Sequence, residues 1–102
     1  MSMSETEKND RIVTAAVQVL PLHADVYPIV DKAIEAIAAT GVRYKVGPLE
    51  TAMEGTLDAV LAAAKAAHLA CFEAGAGQVV TFIKIADALD GSTIDAKLEK
   101  YR

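Results

Sequence analysis

The sequence has no tryptophan, a single cysteine and only five aromatic residues, three Tyr and two Phe. No apolar run approaches the roughly 20 residues that a membrane-spanning helix needs. Each lack excludes something. Cys71 stands alone, so no intrachain disulfide can form and a reducing compartment is the natural setting. With so few rings, a hydrophobic content of 53% must come mainly from Val, Ile, Leu and Ala. The basic residues are scattered and the net charge is -4, which excludes the basic patch that nucleic-acid phosphates require. Gly75-Ala76-Gly77 precedes a strand pattern and no Lys-Ser/Thr follows it, so it is not a phosphate loop. No nucleophile and base stand at a catalytic spacing. The expectation is a non-enzymatic protein with no metal and no membrane contact. Residues 1–10 lack the apolar centre of a signal peptide and read as a polar tail, so the expected location is cytoplasmic.

At 102 residues the chain has enough surface to bury for one core and too little for two, so residues 11–102 form one expected domain. Residues 12–20 read as a strand, with Val13, Ala15, Val17 and Val19 on one apolar face. A helix follows from Asp25, a candidate N-cap, with Val26, Ile29, Val30, Ala33, Ile34 and Ile37 at helical spacing and Gly41 as its stop. Two short strands then flank Gly47-Pro48. A second helix runs over 57–74, capped by Thr56, with Leu57, Val60, Leu61, Ala64, His68, Cys71 and Phe72 as its apolar stripe. The last strand spans 78–86, and Ser92-Thr93-Ile94-Asp95 resembles a capping box opening a short C-terminal helix through Lys100.

The order strand, helix, strand, strand, helix, strand is that of an α+β, ferredoxin-like βαββαβ sandwich. Both helices must then cover one sheet face. The other face would carry Ile12, Thr14, Ala16, Gln18 and Leu20, and neither parity of the last strand is properly polar. Apolar sheet surface of several hundred square ångströms is unusual on a monomer. A homo-oligomer, dimer or tetramer, packed through the sheet face is therefore expected.

The segment 44–55 breaks this apolar chain with a hydroxyl and a carboxylate, Thr51 and Glu54, at a strand-to-helix junction. Such a pair could hold a small polar ligand, the hydroxyl as donor or acceptor and the carboxylate against an amino group or cation. Equally, Thr51 could be an ordinary strand residue and Glu54 could complement the positive end of the following helix. Gln18 and Thr81 are polar side chains within apolar strands and need partners, whether from a subunit, water or a ligand. His68 in the apolar stripe is expected to be a hydrogen-bonded core histidine, since nothing at metal-ligand spacing surrounds it. Lys84 could pair with Glu50 or Glu54. Cys71 is expected to be a small buried hydrophobe.

The strand ending Val17-Gln18-Val19-Leu20-Pro21-Leu22, the Tyr44-Lys45-Val46-Gly47-Pro48 strand and turn, Thr51 followed by Glu54-Gly55, the His68 helix and Val80-Thr81-Phe82-Ile83-Lys84-Ile85 together resemble the small thiamine-binding family. That family recognises thiamine or its hydroxymethylpyrimidine half. The resemblance covers nearly everything beyond the first ten residues. It implies a ferredoxin-like protomer, assembly by sheet packing, and non-catalytic binding with Thr51 and Glu54 at the family's motif. Where the family often continues the last strand with Asp and Arg, this chain has Ala86-Asp87-Ala88-Leu89, so the family's arginine has no counterpart. An aminopyrimidine offers an amino donor and ring acceptors, and thiamine adds a positive thiazolium, which a carboxylate and a hydroxyl in an apolar cleft suit. The expected role is that of a carrier, buffer or sensor. The alternatives are an interaction protein that uses its sheet face for assembly alone, or a cofactor-free dimeric oxygenase or isomerase. Against the last stand the missing Trp and acid/base pair.

Overall fold

The computed structural model describes residues 11–90. The polar tail at 1–10 and the helix expected at 92–100 lie outside the described residues. The elements follow the expected order: β1 (Val13–Pro21), α1 (Val26–Ala39), β2 (Arg43–Val46), β3 (Thr51–Gly55), α2 (Leu57–Glu73) and β4 (Val79–Ala86). They form one antiparallel sheet in the order β2-β3-β1-β4. This is the ferredoxin-like arrangement.

Local chemistry sets the element ends. The Thr56 hydroxyl accepts from the Ala59 N–H at 3.1 Å and caps α2, with Asp58 in the first turn beside the helix's positive end. Asp25 occupies the N-cap of α1 but makes no side-chain cap bond; its own N–H donates instead to His23 Nδ1 at 3.1 Å. Gly41 and Gly75 follow the two helices with φ of 83° and 113°, left-handed conformations that a side chain would resist.

Both helices lie on the same face of the sheet. The core consists of Val13, Ala15 and Val17 from β1, Met53 from β3, Ile29, Ala33 and Ile37 from α1, and Val60, Ala63, Ala64, Ala67 and Cys71 from α2, with Ala76 beyond it. The expected stripe of α1 holds. That of α2 is rotated: Leu61 and Phe72 are exposed, Leu57 and His68 half-buried, and Ala63 and Ala67 fully buried. Where helix, helix and sheet approach most closely only small side chains fit, so alanines take the centre and larger residues move to the margin.

The face away from the helices is less uniformly apolar than the strand patterns suggest. The register puts Ile83 and Ile85 on the helix side, opposite Val17 and Ala15. It leaves Thr14, Ala16, Gln18, Lys84, Phe82, Val80, Ala52, Glu54, Arg43 and Lys45 on the open face. Two ion pairs cross that face, Arg43–Glu54 at 3.0 Å and Lys84–Glu50 at 2.9 Å. Exposed apolar surface remains at Ile12, Leu20, Val80 and Phe82, the last 54% exposed.

Candidate functional site

A cleft of about 120 Å³ opens between α1 and the sheet, at the mouth of the β2–β3 turn. Val17 and Val19 floor it, Val30, Ile34 and Ile37 of α1 form one wall, and Val46 through Thr51 form the other. The second wall is a tight turn closed by the Gly47 N–H donating to the Glu50 carbonyl at 2.9 Å. A Cβ on Gly47 would stand 3.0 Å from that carbonyl, which explains glycine there. The segment singled out in the sequence therefore supplies one side of the cleft.

Thr51 is the polar side chain that the core does not absorb. It is 7% exposed, and its side chain forms no hydrogen bond among the described residues. No fully buried polar side-chain atom among the described residues lacks a partner, so the Thr51 hydroxyl keeps access to a second phase, and the cleft it lines provides that access. Gln18, opposite Phe82 on β1, also borders the cleft, but strand alternation sets its side chain on the open face, where its amide makes no hydrogen bond among the described residues.

The four residues expected to form a site do not converge within one protomer. A spacing of three along a strand puts side chains on opposite faces, so Thr51 faces the helices and Glu54 the open face. The hydroxyl–carboxylate pair expected from Thr51 and Glu54 is therefore not formed. Glu54, its side chain 12% exposed, lies opposite Arg43 in the β2–β3 register and binds it. Thr81 faces α2, and its hydroxyl stands 2.6 Å from His68 Nδ1. His68 is the expected hydrogen-bonded histidine at the core's edge, and it also meets the Phe72 ring edge-on at 5.4 Å. Lys84 takes Glu50, one of the two partners open to it. Cys71 is fully buried, its Sγ 3.4 Å from the Ala67 carbonyl, and burial pushes its thiol pKa up.

Two features of the cleft were not drawn from the sequence. Val30 and Ile34 read only as helix stripe, because periodicity marks a face as apolar without saying whether it is sealed. Glu50 read only as an ion-pair partner. The Gly47-Pro48 turn was the available signal, since a tight hairpin brings the residue after it to the cleft's rim. Among the described residues no group of three or more His, Cys, Asp or Glu could hold a metal ion, and no helix is long and apolar enough to cross a membrane.

Comparison with known proteins gives a consistent result. A family model described as thiamine-binding protein matches residues 15–102. A UPF0045 protein of Clostridium perfringens is 45% identical over 89 residues, covering 85% of this chain and 94% of its own. A solved Bacillus cereus structure, described as a domain of unknown function, superposes with a TM-score of 0.85 at 47% identity, over 93% of this chain and 94% of that one. A Thermotoga maritima structure, provisionally assigned to thiamine biosynthesis or salvage, gives a TM-score of 0.79 at 31% identity, over 89% of this chain and 99% of that one.

Proposed function

The chain belongs to the thiamine-binding protein family, and from that premise we propose that it binds thiamine or its hydroxymethylpyrimidine half, without catalysis, in the cleft between α1 and the β2–β3 turn. The observation that carries this is Thr51, a nearly buried hydroxyl with no partner among the described residues, on the wall of an apolar cleft. Apolar walls suit the faces of a flat ring, and a hydroxyl meets one polar position on its edge. Gln18 borders the cleft, but its side chain belongs to the open face of the sheet and is not proposed for the site. Glu54 and Thr81 are engaged with Arg43 and His68, and serve the protomer's own structure.

The protein works in the cytoplasm as a carrier, buffer or sensor, without nucleic-acid or membrane partners. It assembles as a dimer or tetramer through the open sheet face, where Ile12, Leu20, Val80 and Phe82 are exposed. Those same residues favour a second reading, an interaction protein whose assembly is its whole function. Calorimetric titration with thiamine and with hydroxymethylpyrimidine separates the two. Saturable binding of either supports the ligand reading, and no heat with both, in a protein that native mass spectrometry shows to be oligomeric and free of small molecules, supports assembly alone.

A further inference from the structure

The cleft measures about 120 Å³. An apolar cavity of about 150 Å³ holds one benzene ring, so this cleft has room for a single six-membered ring and little more. Thiamine carries a second ring, a thiazolium, for which no room remains beside the first. Thr51 pairs with Val17, so the β2–β3 turn that precedes Thr51 lies beside the C-terminal half of β1, the end of the sheet from which the chain enters α1. The turn and the first turn of α1 therefore meet at the same end. Leu49 on the turn borders the cleft and is 77% exposed. Tyr27, 79% exposed, stands one helical turn before Val30 and two before Ile34, on the flank of α1 that those two residues present to the cleft. Its ring is open to solvent just beyond the cleft wall.

We propose that the cleft takes the pyrimidine ring alone and that Tyr27 receives the thiazolium of thiamine outside it, with Leu49 on the opposite wall. A permanent cation is attracted to the face of an aromatic ring, an interaction that an uncharged single-ring ligand cannot draw on. Tyr27 thereby sets the preference for thiamine over hydroxymethylpyrimidine, whereas Thr51 and the apolar walls serve both ligands. This rests on the reading of the cleft as the ligand site.

The test is calorimetry on the wild type, Tyr27→Phe, Tyr27→Ala and Tyr27→Lys, each shown to be folded by circular dichroism. The probes are thiamine and hydroxymethylpyrimidine, at a mildly alkaline pH where the pyrimidine is uncharged. Tyr27→Ala should weaken thiamine about two- to five-fold, the range of a cation–π contact at an exposed site. Tyr27→Phe keeps an aromatic face and should stay near the wild type, while Tyr27→Lys sets a like charge against the thiazolium and should weaken thiamine at least as much as Tyr27→Ala. Hydroxymethylpyrimidine should bind all four proteins alike. If Tyr27→Ala leaves thiamine unchanged, or weakens both probes equally, the assignment of Tyr27 falls while the cleft stands. If neither probe binds the wild type, the cleft reading falls and takes this proposal with it.

Discussion

Thr51→Val removes one hydroxyl and leaves the shape of the side chain almost unchanged. Thr51 lies on β3 opposite Val17 of β1 and Val46 of β2, so a valine there completes a row of three on the helix-facing side. The hydroxyl has no hydrogen-bond partner among the described residues, and their packing loses no hydrogen bond when it goes. Leaving a hydroxyl unpaired in apolar surroundings costs about 1 to 3 kcal/mol, and access to the cleft puts Thr51 at or below the lower end of that range. The variant should therefore match the wild type or gain up to about 1 kcal/mol, a rise of at most about 4–8 °C in Tm for a domain of this size. Binding should respond in the opposite direction. A neutral hydrogen bond contributes about 0.5 to 1.5 kcal/mol, so affinity for the pyrimidine ligand should fall about two- to twelve-fold. Thermal melting by circular dichroism and calorimetric titration on the same preparation read both quantities. A lower Tm with unchanged affinity would show that the hydroxyl serves the fold, and would refute the assignment of Thr51 to the ligand.

Glu54→Gln should lower stability by about 0.2 to 1 kcal/mol through the weakened pair with Arg43 and leave affinity intact, read by melting and titration; a loss of affinity of about 1 to 3 kcal/mol would restore Glu54 to the ligand site. Cys71→Ser should cost about 1 kcal/mol without affecting binding, because the Ala67 carbonyl that faces Sγ is there to accept from a serine hydroxyl. Burial raises the folded thiol pKa, so its contribution is fully present below the unfolded thiol's value of about 8.5 and is lost as pH rises above it; melting across alkaline pH should show this loss in the wild type and less of it in Cys71→Ser. Light scattering should give at least twice the 10.7 kDa chain mass, and Phe82→Lys on the open face should lower it; a wild-type monomer at micromolar concentration would overturn the sheet-packing proposal.

The element order was legible in the sequence because it rests on local chemistry. Alternation over residues 13–19, helical spacing from Val26 to Ile37, the Thr56 cap and the glycines after each helix act within a few residues of themselves, and each appears where the pattern puts it. The segment that walls the cleft was legible in the same way, since a turn between two strands interrupts an otherwise apolar chain. The side-chain constellation was not. Proximity in sequence suggested Thr51 with Glu54, but strand alternation separates them, and the pairing register gives Glu54 to Arg43 instead. Thr81 and His68 stand 13 positions apart in different elements, and Lys84 reaches Glu50 over an intervening strand. The packed centre of α2 moved to its alanines for a related reason. Hydrophobic periodicity weighs how apolar each residue is, whereas the closest approach of two helices to a sheet is limited by side-chain volume, and that distance exists only once the layers have packed.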